Sequence, residues 1–181
     1  MDLRQKKTLR AISQAFYTLR KQKKLEAITV TELCAQAEIS KATFYLHYRD
    51  IFDLSEKLQM YIINEALNQT EISASIMDHF SEFSREITAI MDQYSAELAV
   101  LFSGSQMGMI PILLEDQIRA RILEQSPELK EDSELSIRLT YHIQGSYHTY
   151  LRHAHHTDMH RILDIIHDIH DMAGMRASKP Q

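Results

Sequence analysis

The first glycine in this chain is Gly104, and only Gly108, Gly145 and Gly174 follow it, beside three prolines in all. An all-β chain turns roughly every ten residues and draws those turns largely from Gly, Pro, Asn and Asp. This supply cannot serve one, so the chain is expected to be all-α. Its 181 residues suffice for one domain or two small ones, and a hydrophobic fraction of 44% with 25% charge is that of a folded globular chain. Its one cysteine, Cys34, excludes an intramolecular disulfide framework and fits a reducing compartment. The opening MDLRQKKTLRA leads into an amphipathic helix and lacks an apolar signal core. No stretch approaches the eighteen or so apolar residues of a membrane span, so the sequence predicts a cytoplasmic protein with no membrane partner.

The net charge of −5 hides two opposite halves. Residues 1–50 hold ten Lys/Arg against five acids, a net of +5, and the rest holds ten against twenty, a net of −10. A basic head on an acidic body points to a polyanion at the head and other work in the body.

Apolar residues recur at three and four from Leu9 through Ile12, Ala15, Phe16 and Leu19, marking a first helix. It ends in the basic run from Arg20 to Lys24, read as a solvated helix end matched to the dipole in preference to direct DNA contacts. Thr29 and Glu32 have the spacing of a reciprocal capping box opening a second helix, in which Leu33, Cys34 and Ala37 face inward. Ser40 is the expected N-cap of a third. Two short helices joined by a tight turn behind a longer one is a helix-turn-helix pattern. A fourth helix is expected over 50–68, with Leu54, Leu58, Tyr61, Ile62 and Ala66 on one face, and a fifth over about 77–102. A sixth follows through Leu113, Ile118 and Ile122; Pro127 to Glu134 reads as a solvated connection. Two last helices cover about 134–155 and 158–172, and the end from Ala173 through Lys179 and Pro180 is expected to fray.

The segment TVTELCAQAEISKATFYLHYRD, residues 29–50, closely resembles the DNA-binding head of TetR/AcrR-type transcriptional regulators. The string carrying the likeness is Ser40, Thr43, Phe44, Tyr45, His47 and Tyr48, with an aliphatic residue before Ser40 and a helix starting just after Tyr48. The likeness covers about residues 5–60, and beyond residue 70 it is only generic. It implies a helix-turn-helix head at 1–49, extending into the linking helix 50–68, and a helical ligand-binding and dimerisation body at 69–181. It further implies a homodimer on a palindromic double-stranded operator, most simply a repressor answering to a small-molecule effector. One departure is Glu38, where the family's turn usually carries Gly; a side chain there at positive φ would be strained.

The residue chemistry suits such a head. A short recognition helix brings only its N-terminal side chains to the major groove. Lys41 can donate to guanine, Ala42 can pack on a thymine methyl, and Thr43 can meet a base or a phosphate. Tyr45 and His47 suit phosphates, Leu46 a base or sugar, and Ser40 opens the helix. Thr29 and Thr31 can offer hydroxyls and backbone N–H groups to phosphate. Phe44 points to the core; Tyr48 either anchors this helix or meets DNA. Lys6, Lys7 and Arg10 form either a solvated face or an arm reaching DNA.

Eight of the ten histidines lie from His142 onward. His156 and His160 have the spacing to share a metal, with Asp164 one turn on, but a helix break near Thr157 disrupts that register, and exposed or interface histidine is the preferred reading. Leu135, Leu139, Ile143 and Leu151, with Ile162, Ile165, Ile166, Ile169 and Met172, form two apolar stripes. They either complete the subunit core or, as the resemblance implies, pair across a two-fold axis. Phe80, Phe83, Met91, Tyr94, Phe102 and Met107, with Met77 and Met109, either line an effector pocket or are plain core. No phosphate loop, nucleophile motif or paired carboxylates suggest an enzyme, and no cofactor or metal is expected.

Overall fold

The computed structural model describes residues 3–177, with side chains as far as Met172. Among these residues there is no strand. Nine α-helices run in order: α1 Leu3–Arg20, α2 Val30–Gln36, α3 Lys41–Tyr45, α4 Ile51–Leu67, α5 Phe80–Gln93, α6 Ser95–Leu101, α7 Met109–Gln125, α8 Ser133–His153 and α9 Met159–Ala177. None of the described helices is by itself long and apolar enough to cross a membrane. The chain divides into two compact units. One holds residues up to Ile62 with Tyr94–Met107; the other holds Ile63–Gln93 with residues from Gly108 onward.

In the first unit α1 packs against α2 and α6, and α2 against α3. The stripe expected on α1 is the one buried: Ile12, Ala15, Phe16 and Leu19. They share the core with Leu33, Cys34, Ala37, Phe44, Ile51 and Leu54. Helix α1 begins at Leu3, earlier than the apolar pattern, because Leu, Arg, Gln and Lys extend a helix without needing burial. Tyr61, expected on the inner face of α4, is 59% exposed, and Gln59 and Ile63 are buried on that helix instead.

The helix expected over 77–102 is broken. A 3-10 turn spans Ala74–Met77, α5 starts at Phe80, and Tyr94 leaves helical geometry with φ −104° and ψ 12° before α6. The two halves serve different cores: Phe80, Phe83 and Ile90 are buried in the second unit, Leu101 and Phe102 in the first.

In the second unit α8 packs on α7 and α9, and α9 on α5. Asp132 caps α8, its Oδ1 accepting from the N–H groups of Glu134 at 2.8 Å and Leu135 at 3.1 Å. Asp158 accepts from the Arg161 N–H at 3.2 Å at the start of α9. Pro111 sits in the first turn of α7, where its missing N–H costs nothing. Helix α9 runs on to Ala177, past the expected end at Met172, and Lys179 and Pro180 lie outside the described residues.

Glu38 is the one non-glycine at positive φ among the described residues, at +54°. The left-handed region costs a side-chain-bearing residue roughly 1–2 kcal/mol, and glycine's greater freedom when unfolded returns up to about 1 kcal/mol. Glu38→Gly is therefore expected to stabilise the first unit by ~0.5–1 kcal/mol, read as a higher urea midpoint. A lowered midpoint would show that the turn stores no strain.

Candidate nucleic-acid interface

The connection from α1 to α3 is built from local hydrogen bonds. Thr29 caps α2, its Oγ1 accepting from the Glu32 N–H at 3.2 Å. The reciprocal half of the expected capping box is absent, because the Glu32 carboxylate instead pairs with Lys23 Nζ. That pair ties the basic run to α2 and compensates one of its charges. The chain then turns through Ala37 and Glu38, and the Ile39 N–H donates back to the Cys34 carbonyl at 3.0 Å. Ser40 caps α3 as expected, accepting from the Thr43 N–H at 3.0 Å; the two hydroxyls also share a 2.8 Å hydrogen bond.

Helix α3 has two distinct sides. Phe44 is fully buried, with its ring edge-on to Tyr45 at 5.4 Å and tilted against Tyr48 at 5.6 Å. Tyr48 is buried too, so of its two readings the anchor is the one its position supports. On the other side Tyr45 is 56% exposed and Leu46 80%, next to exposed Lys41 and Ala42. Thr29, Thr31 and Ser40 are exposed; Thr43 and His47 are half-buried. Ser40 and Thr43 spend part of their hydrogen-bonding capacity on each other, while Lys41, Tyr45 and Leu46 face solvent.

The far end of α3 is fastened to α4 by groups the sequence reading passed over. Lys57 Nζ donates to the His47 carbonyl at 3.1 Å and to Asp53 at 3.0 Å, and lies 5.1 Å from the centre of the Tyr48 ring. Asp53 is buried and also accepts from the Arg49 N–H at 2.9 Å and its guanidinium. The Arg49 N–H, followed by Lys57, holds its carboxyl below the usual carboxylate range. The available sequence signal was the acid–base spacing of Asp53 and Lys57, four apart on one helix.

Lys21 and Lys24 are exposed, as the solvated reading of the basic run expects, but Arg20 departs from it. It is 6% exposed and donates to the Lys23 carbonyl at 3.0 Å, to Ser103 Oγ at 2.6 Å and to the Ser103 carbonyl at 3.3 Å. Ser105 Oγ donates to Glu26 at 2.7 Å, and Gln59 donates to the Leu101 carbonyl at 3.0 Å. Residues 94–107 are thus bound to the rest of the first unit by a band of polar contacts.

The other candidate sets fare differently. Leu139, Ile143, Ile162 and Ile166 are buried within the second unit, so of their two readings their position supports the subunit core. Ile165 and Ile169 are exposed, as are Ile137, Tyr141 and Met172. Of the pocket set, Phe80, Phe83 and Met91 fall in the second unit and Tyr94, Phe102 and Met107 in the first. Phe80, Phe83 and Phe102 are buried, Met91 and Tyr94 half-buried, and Met107 is 47% exposed. The cleft found in the second unit is lined by none of them.

The histidines divide as well. His148, His153, His155, His156 and His160 are exposed, but His142, His167 and His170 are buried, against the expectation of exposed or interface histidine. The His142 ring stacks on Phe80 at 4.4 Å and meets His170 at 4.9 Å. Among the described residues no three His, Cys, Asp or Glu side chains are grouped to hold a metal ion. Comparison with known protein families, with curated proteins and with solved structures finds no significant match to this chain.

Proposed function

We propose that the chain is a DNA-binding transcriptional regulator similar to those of the TetR/AcrR type, with α2 and α3 as its helix-turn-helix and α3 as the recognition helix. The observation that carries this is the two-sidedness of α3. Lys41, Ala42, Tyr45 and Leu46 face out while Phe44 and Tyr48 hold the helix to the core, within a segment of net charge +5. Exposed aromatic and aliphatic side chains beside a lysine suit a groove of bases edged by phosphates better than they suit water. Lys41 and Leu46 read bases; Tyr45, His47, Thr29 and Thr31 position the helix on phosphate.

The protein acts as a homodimer, most simply a repressor. Its two α3 helices enter successive major grooves of an inverted repeat about 34–36 Å apart. The exposed residues Ile137 and Tyr141 on α8, with Ile165, Ile169 and Met172 on α9, supply apolar surface for pairing. The boundary between the two units falls inside α4, between Ile62 and Ile63, so one continuous helix links them covalently. A small-molecule effector shifts operator binding through α4, by different affinity for the DNA-competent and incompetent states. The test is selection of bound sequences from a random DNA pool by the full chain. An inverted repeat with half-sites one helical turn apart is expected; a pool that stays random after successive rounds would contradict the reading.

A further inference from the structure

The second unit contains an open cleft of about 720 Å³ between the last turn of α4, the segment after it and α7. That volume lies within the usual range of small-molecule sites, about 300–1,000 Å³, but such sites are mostly apolar and this one is not. Arg121 is one of its lining residues. One guanidinium nitrogen donates to the Leu67 carbonyl at 2.7 Å; the other donates to Asn68 Oδ1 at 2.9 Å and Asn64 Oδ1 at 3.2 Å. A guanidinium can only donate, so both asparagines must turn their oxygens to it, which leaves their NH2 groups as donors. Gln125 spends its NH2 on the Ile72 carbonyl at 2.7 Å, which leaves its oxygen as an acceptor. Glu71 and Glu124 add carboxylate acceptors, and the Thr70 hydroxyl is buried without a hydrogen-bond partner.

Both donors and acceptors therefore line the cleft. An anion would face Glu71 and Glu124, and a cation would face Arg121 and the asparagine donors. A hydroxyl both donates and accepts, so a neutral molecule carrying several hydroxyls can satisfy both kinds of group at once. We propose that this cleft is a binding site for a small neutral polyol of sugar size. Such a ligand would accept from the NH2 groups that Asn64 and Asn68 leave free, at the end of the helix that links the two units. Its role as the effector rests on the regulator reading; its binding does not.

The test is calorimetric titration of the full chain with myo-inositol, D-glucose and maltose, with citrate and spermidine as charged counterparts. At least one neutral polyol is expected to bind saturably, at least tenfold more weakly to Asn68→Leu and to Glu124→Leu. The second variant sits on an exposed position and leaves the Arg121 contacts intact. Absence of binding by all three polyols, saturable binding of citrate or spermidine instead, or equal affinity in both variants would overturn the proposal. Polyol binding by a chain that selects no DNA would uphold the cleft and remove only its role as effector.

Discussion

Lowering the pH from 7 to 5 is expected to destabilise the second unit by about 2 kcal/mol through His170 alone. Burial pushes this imidazole down to about 4, helped by His142 and His167 beside it. Burial also lowers His142 and His167, with Arg138 acting on the first and Arg85 on the second; Asp164, Asp168 and Asp171 oppose it at His167. The hydrogen bonds give the reason at atomic level. Ser146 has one proton and donates it to the His142 carbonyl at 2.5 Å, so in the 3.0 Å contact with His170 it must accept, from Nε2–H. The neutral His170 therefore carries its lone pair on Nδ1, which is buried and has no partner. A second proton there would have no acceptor. Because the native value lies below the unfolded one of about 6.5, the unfolded chain binds protons first as pH falls. Stability is complete above the unfolded value and is lost between about 6.5 and 4, a window whose upper part precedes carboxylate titration. Urea midpoints measured from pH 7 to 5 should fall in the native chain and fall distinctly less in His170→Phe, where His142 and His167 alone still contribute. A level profile in the native chain would mean that these rings are hydrated.

Arg20→Ala is expected to cost about 3 kcal/mol, since hydrogen bonds from a charged donor are worth roughly 1.5–3 kcal/mol each and the carbonyls of Lys23 and Ser103 would lose theirs. Desolvation of the guanidinium, which lowers its pKa, offsets part of that worth, so the expected figure stays well short of the sum. Arg20→Lys should recover little, because one ammonium cannot replace the planar fork that reaches both carbonyls. Hydrogen exchange localises the effect: amide protection should fall around residues 20–28 and 94–107 together. Protection lost at the end of α1 alone would show that Arg20 does not hold the 94–107 segment.

What was legible in the sequence was local. The caps at Thr29 and Ser40, the buried stripe of α1 and the inward Phe44 all depend on spacings of three or four residues, and the structure reproduces them. Arg20 was misread because its partner Ser103 is 83 residues away, and a basic run at a helix end looks solvated from its neighbours alone. The helix expected over 77–102 breaks for a related reason: its two parts belong to different cores, and periodicity does not say which core an apolar face will meet. The buried histidines did leave a trace. His142 continues the stripe of Leu135 and Leu139, and His170 that of Ile162 and Ile166, but an imidazole does not register in a purely apolar pattern. The outward side of α3 was legible as residue types; its exposure followed only once Phe44 and Tyr48 were seen to fill the inward side.

The DNA-reading face proposed on α3 of the first unit is tested by the salt dependence of binding to the selected inverted repeat. If each subunit neutralises three phosphates, log K against log salt should fall with a slope of about −5 for the dimer. A slope near zero, or no binding to that DNA at low salt, would rule that face out.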